Sequence, residues 1–571
     1  MAEAFVVTPD SQAGTCSPNL ARHCSLRTVP AVVLLILAVA YWVTAQSSGN
    51  PPIYPPIAVT TYHYDNYRTG WNQSESTLTP TNVGGASFGL LHTVVLDERV
   101  DAQPLVVPGV NVTAGSFQGS HDVVYVATAN NTVYMIDADN GTVLWSQNLG
   151  NPVPATTGCY VAANVGITST PVIDTASRTL YIMTYTNDAL GPTYRIHALD
   201  LGNLADKLPA KIVSASHTLV GGRQFMFDAR YQRQRPGLLL ANGNVYAGFG
   251  SFCDVYANLS RGWLLGWNAA SLTPLPSNQL VDTQSTSPHS FFLSSIWMSG
   301  YGLTADDYGN LLFVTGNSDA GTYDGVTNLQ ESVVKVSPSL DSVLDLFTPS
   351  NQVSLDQRDL DFSSGGVLVL PDQGGSIPHL AVAAGKEGTM FLMNEDNLGG
   401  YSPHMNNVLG SYVIGDCWCG ESYFIDPDGA ARVVSSGGPY VMVWKLTTSP
   451  TPTLTNVGTS AYLASGQEPG FFTTISSNHY HEKPVIWALS RATPQNIFLS
   501  ALDPDRQTSG VITQLFRGIA GSWPLSAANA NLVPVVANGK VYVASYKQLT
   551  IFGLSSTRQR IGISQLKTSK P

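Results

Sequence analysis

The sequence predicts an all-β protein: an eight-bladed β-propeller of four-stranded blades, its ring closed by an N-terminal strand, preceded by one N-terminal hydrophobic helix. Three observations predict it. A strand-rich unit recurs eight times, with starts about 60 residues apart. Charged residues make up only 12% of the chain, while glycine (52) and proline (35) are plentiful, the composition of short strands joined by many turns. The chain has 571 residues, and a propeller reaches that size by adding blades rather than by thickening one core.

The segments follow in order. Residues 1–28 are polar, with Arg22, His23 and Arg27 just before an uncharged run at 29–45. That run has the length of a signal-peptide core or a short membrane-spanning helix, and Val43 and Ala45 are small residues suited to cleavage. Basic residues before the run place the bulk of the chain outside the cytoplasm, so a periplasmic, secreted or membrane-anchored protein is expected. Membrane contact is expected through 29–45 alone. A Pro-rich linker at 46–61, the propeller at 62–556 and a C-terminal tail at 557–571 complete the division.

The clearest unit spans residues 102–145. It alternates at 122–127, resumes at 132–136, turns at Asp139-Asn140-Gly141, and ends in a strand at Trp145. Drifted copies begin near Ser169, Arg235, Tyr301, Ser363, Arg432, Phe471 and Asn531. The last copy has three evident strands, and 88–97 is a strand left over before the first. The two complete one blade if 88–97 pairs beside 548–554.

Some functions are excluded. The net charge is −11 with no basic cluster, which argues against nucleic acid. No nucleophile elbow, P-loop, zinc-protease helix or dinucleotide fingerprint occurs. Asn72 and Asn258 are glycan acceptors only in a glycosylating host.

Residues 124–145 resemble the repeat of the pyrroloquinoline quinone (PQQ) dehydrogenases, with a strand, Ala-x-Asp, a Gly turn and a terminal Trp. From about Tyr62 the chain is similar to bacterial PQQ-like propeller proteins of unassigned activity, within the quinoprotein alcohol dehydrogenase-like superfamily. The stretches are RTGWNQSESTLTPTNV, DAQPLVVPGV, GITSTPVID, QRPGLLLANGNVYAGFGSFCD, IWMSGYGLTADDYGNLLFVTGN, DLDFSSGGVLVLPDQ and NANLVPVVANGKVYVASYKQLTIFGL. The resemblance implies PQQ in a central funnel with Ca²⁺, a Trp platform, an Arg and an Asp base. The chain departs from that pattern. No two cysteines are adjacent, the blade-locking Trp is clear only at Trp145, and no Cys-x-x-Cys-His attaches a haem.

Residues in the loops entering the units are the site candidates. Arg230, Arg233 and Arg235 could hold the carboxylates of PQQ, or pair with Asp228 and backbone carbonyls. Trp297 and Met298 could face the axis and the quinone, or pack in the core, and Trp418 could contact the quinone. Asp359 and Asp361 could ligate Ca²⁺ or form a solvated turn. Lys386-Glu387 reads as a surface turn. Cys417 and Cys419 have three readings: a metal site with His479 and His481, a bridge to each other, or separate structural disulfides. Cys159 and Cys253 could staple neighbouring units. Cys16 and Cys24 precede the apolar run and would stay reduced.

Two functions follow. One is a binding or scaffold propeller for a protein, glycan or small-molecule ligand, with no cofactor. The other is a PQQ- and calcium-dependent dehydrogenase, an oxidoreductase acting on an alcohol or sugar.

Overall fold

Alternating side chains decide how the sheets pack. In the strand Gly119–Ala127, Val123, Tyr125 and Ala127 point to one face, while Val124 and Val126 point to the other. Both sets are buried, so each sheet must be covered on both faces. The computed structural model of the chain describes residues 54–155, 164–298, 300–463, 469–491, 496–524 and 531–555, apart from the Cys253 side chain. The expected hydrophobic helix at 29–45, the tail at 557–571, and Cys16, Cys24 and Cys159 lie outside the described residues. Among the described residues, no helix is long and apolar enough to cross a membrane.

The protein is all-β, with antiparallel meanders in chain order. Leu105–Val112, Gly119–Ala127, Thr132–Asp137 and Val143–Asn148 form one sheet. Val172–Asp174, Thr179–Asp188, Gly191–Asp200 and Asp206–Ile212 form the next. In a third, Gln232–Gln234 and Leu239–Ala241 both pair with Asn244–Ser251. Consecutive sheets stack face to face. Val133 and Met135 meet Leu180 and Ile182, and Ile196 and Ala198 share a cluster with Val245 and Ala247. The series closes on itself, because Tyr542 and Leu549 of the last sheet pack with Val124 and Ile136 of the first. The leftover N-terminal strand sits where the sequence places it. Phe88–Arg99 pairs antiparallel with Lys540–Leu554, with Phe88 opposite Leu554 and Val95 opposite Gln548. The two ends of the ring are thus joined by hydrogen bonds rather than covalently.

A second device ties the ring together, and the sequence reading had placed part of it in the linker. Residues 57–75 run past the first strand of one sheet after another. Val59 exchanges hydrogen bonds with Val106, and Thr60 O accepts from Ile173 N. Tyr67 O accepts from Val369 N, Thr69 O from Tyr423 N, and Gly70 O from Ile475 N. Tyr64 and Asn72 both bind Val536. Arg68 fills the middle, fully buried. Its guanidinium donates to Leu303 O (2.7 Å), Thr61 Oγ1 (2.7 Å), Tyr62 O (3.0 Å), Asp65 O (2.9 Å) and Leu238 O (3.4 Å). Gly70 has φ +66°, and a Cβ there would lie 2.8 Å from Ser422 Oγ, so the strap needs glycine at that point.

Arg68→Met should therefore leave several inward carbonyls without donors. The expected cost is at least about 3 kcal/mol, read as a lower midpoint in equilibrium denaturation. A substitution at exposed Arg230 serves as the control and should change the midpoint by no more than about 0.5 kcal/mol. Equal midpoints for Arg68→Met and the parent chain would show that the strap does not carry the ring.

Candidate functional site

Three consecutive sheets bring one polar cluster together. Asp254 lies in a short 3-10 turn after Asn244–Ser251, and Asn317 follows the strand Leu311–Val314. Asp359 ends the helix Gln352–Arg358 with φ 53°, and Asp361 begins the loop into Val367–Leu370. Lys386 sits in the turn between Leu380–Ala384 and Thr389–Asn394. Asn317 N donates to Asp361 Oδ1 at 2.9 Å, and its Nδ2 lies 3.2 Å from Asp359 Oδ1 and 3.5 Å from Asp254 Oδ2. Lys386 Nζ donates to Asp361 Oδ2 at 2.6 Å, to Asp359 Oδ1 at 3.2 Å and to Asp359 O at 3.0 Å. A Cβ at Gly316 would stand 2.3 Å from Asp361 Oδ1, so glycine lets the strand approach the carboxylate.

The cluster is short of positive charge. Buried Glu331 and Asp356 lie beside Asp361, so five carboxylates face one ammonium. Burial, with Asp361 and Asp359 adding repulsion, pushes Asp254 up to about 6. Burial and the Asp361 charge hold Asp359 above the usual range as well. Burial pushes Asp356 up to about 8. Lys386 is held firmly protonated by Asp361 and Asp359 against its own burial. Asn317 Oδ1 is buried with no hydrogen-bond partner among the described residues. The amide presents Nδ2 to Asp359 and Asp254; turned over, its oxygen would join the carboxylates in the donor set a hard cation takes.

One wall is aromatic and carries sulfur. Lys386 Nζ lies 5.7 Å from the Trp418 ring centre. Cys417 and Cys419, on either side of Trp418, are bridged to each other, with Cα atoms 4.8 Å apart. Ser364 Oγ donates to Cys417 O at 2.7 Å, which ties this wall to the loop that holds Asp361. Glu421 follows, completely buried, with neither carboxylate oxygen hydrogen-bonded among the described residues.

Comparisons with known proteins bear on the fold. The family model described as outer membrane protein assembly factor BamB matches residues 66–223. The quinohemoprotein alcohol dehydrogenase of Comamonas testosteroni superposes with TM-score 0.58 at 13% identity, over 91% of this chain and 84% of that one. Quinohemoprotein alcohol dehydrogenase ADHIIG of Pseudomonas putida HK5 gives 0.54 at 13%, over 90% and 82%. A europium-containing methanol dehydrogenase gives 0.55 at 10%, over 88% and 98%. No curated protein matches the chain in sequence.

The fold is that of a β-propeller.

Its sequence-predicted residues divide. Asp359 and Asp361 stand in the cluster, and Trp418 on its wall. Trp297 is half-buried after Ile296. Arg233 and Arg235 are buried in the entering loop of the third sheet, with Arg233 opposite Gly250. Arg230 does not join them. Its side chain is 61% exposed and forked onto Asp228, the pairing that the sequence held open for it. The surface-turn reading of Lys386 is corrected, because its side chain is only 14% exposed and reaches inward between two aspartates. The separate disulfides and the metal site with His479 and His481 are corrected by the bridge between Cys417 and Cys419. Among the described residues, the metal-capable group at those sulfurs adds Glu421 and no histidine. The pair of Cys159 and Cys253 falls outside the described residues.

Sequence reasoning missed Asp254, Asn317 and Lys386. Asp254 and Asn317 end two of the quoted stretches, GSFCD and TGN. Each closes the second strand of its unit, and that shared position was the available signal.

Glu421 offers a test of burial. Desolvation pushes it up to about 7. A raised carboxyl stabilises the fold below its unfolded value, and that stability is lost as pH rises through about 7. Glu421→Gln should flatten the fall in stability between pH 4.5 and 7.5, and should be more stable than the parent at pH 8 by on the order of 1–3 kcal/mol. Denaturant melts across that range check it. Parallel pH profiles for the two proteins would remove the buried acid from the account.

Proposed function

We propose that this propeller is an exported, PQQ- and cation-dependent dehydrogenase of an alcohol or sugar, built as a ring of eight four-stranded blades. The observation that carries the reading is the convergence of Asp254, Asn317, Asp359 and Asp361 on Lys386, with Asn317 Oδ1 unpartnered. The meander order and the pairing of Phe88–Arg99 with Lys540–Leu554 support the eight-blade count. The apolar run at 29–45 supports export.

The residues fit such a cofactor. Asp254, Asn317 through Oδ1 once its amide turns over, and Asp361 would hold a hard cation. Lys386 and the Trp418 ring would face a planar anion, the ammonium toward its oxygens and the indole toward its face. When bound, PQQ supplies a two-electron acceptor for the substrate's carbinol carbon. Asp359 is the open carboxylate of the pair, with its side chain 64% exposed, and accepts the substrate hydroxyl proton. Asp361 is held on one oxygen by Asn317 N–H and on the other by Lys386, so its carboxylate stays fixed in place. The Cys417–Cys419 bridge braces Trp418.

Adding PQQ with Ca²⁺, or in parallel with a trivalent lanthanide, should raise the melting temperature of the protein. At one hundred times Kd the gain is about 2.7 kcal/mol. Dye reduction with an alcohol or aldose should then appear. Asn317→Ala and Asp254→Ala should each cut the cation response and turnover at least tenfold. No melting shift with either cation would overturn the reading and favour a ring that only binds a partner.

A further inference from the structure

A cavity of about 310 Å³ opens where the second and third sheets meet. Pro154 closes one side of it, and most of the remaining wall is aromatic. Tyr185 and Phe252 are buried, with ring centres 5.8 Å apart. Tyr231 and Tyr256 are half-buried, with ring centres 5.0 Å apart. Tyr185 is fixed by its stack on Tyr194 at 4.2 Å and by its hydroxyl, which donates to Ala229 O at 2.8 Å. Arg230 stands at the rim, its side chain 61% exposed. Its guanidinium lies 5.2 Å from the Tyr231 ring centre, and Asp228 accepts from its Nε and Nη2.

Packing does not account for this space. The same two sheets close ring on ring nearby, where Tyr194 meets Phe249 at 5.4 Å and Phe227 covers Phe249 at 4.9 Å. Protein interiors leave few voids larger than a water molecule. This one has the volume of a compact small-molecule site, at the low end of the range of about 300–1,000 Å³. Asp228 matches the charge of Arg230, so the cavity suits a neutral ligand better than a carboxylate or an ammonium. Its walls offer ring faces, and its rim offers phenol hydroxyls and an ion pair. A pyranose fits that division, because its C–H bonds form an apolar face and its hydroxyls line the edge. We propose that this cavity is a saccharide site that takes one neutral hexopyranose ring. Tyr231 and Tyr256 pack against the C–H face, and the Arg230–Asp228 fork meets the hydroxyls. The assignment does not depend on the quinone or on the cation cluster. The turn Cys253–Tyr256 serves both places, giving Asp254 to the cluster and Tyr256 to the cavity.

Calorimetric titration of the full chain, without PQQ or added cation, tests the site. The probes are the methyl pyranosides of glucose, galactose and mannose, the three free hexoses, and benzyl alcohol as a neutral aromatic ring. At least one methyl hexoside should bind. Tyr231→Ala and Tyr256→Ala should each fold, by circular dichroism, and lose at least tenfold in affinity, and Arg230→Ala should also weaken binding. Asn317→Ala should bind the hexoside as the parent does, so a failed quinone reading leaves this result standing. Equal binding of glycoside and free hexose would support the site with a glycan end as its source. Binding of a free hexose alone would support the site with a free sugar as its source. Binding of benzyl alcohol alone would overturn the saccharide assignment. So would silence from every probe, or full affinity in both tyrosine variants.

Discussion

The hydrogen bonds that residues 57–75 make along the inner strands are the constraint on which the rest of the ring depends. A ring of sheets stacked face to face is held by apolar burial, which is strong but not directional. Nothing in that packing fixes how far each first strand projects toward the centre. The strap supplies the missing direction. Its carbonyls and amides meet Val106, Ile173, Val369, Tyr423 and Ile475 in turn, and Arg68 adds Leu238 and Leu303. These bonds register sheets that share no strand with one another. Loops entering those strands inherit that position, and the Arg and Asp clusters stand in or beside such loops.

Much of this was legible in the residues. Period-two apolar patterns set the strands, and the recurring unit set the meander. The pairing of 88–97 with 548–554 followed from counting strands. The strap was not legible, because it has no periodicity. Its bonds are made by backbone groups and by one arginine, and a segment after a Pro-rich stretch reads as linker. At the site, the default rules pointed away from the answer. A Lys-Glu pair in a Gly-flanked turn is ordinarily solvated, yet Lys386 turns inward because Asp359 and Asp361 face it from the preceding loop. Three arginines two or three residues apart looked alike, and only their place relative to the strand Gln232–Gln234 separated them. Arg233 is buried opposite Gly250 and Arg235 is buried just after that strand, while Arg230 precedes it and meets Asp228.

The cluster around Arg233 and the cluster around Asp361 have opposite signs, yet they do not neutralise each other. Arg233 takes its field from Arg235, Asp101 and Arg99, whereas Asp254 takes its field from Asp361, Asp359 and Lys386. Both clusters are anchored to the strand Asn244–Ser251, Arg233 through its pairing with Gly250 and Asp254 through the turn that follows. That strand is closely seated against its neighbour. A Cβ at Gly248 would lie 2.9 Å from Ile296 Cγ2, and one at Gly250 would lie 3.0 Å from Ser295 Cβ. Unmatched charge of both signs, held on one strand and the turn that follows it, is costly unless it is paired or takes a matching ligand.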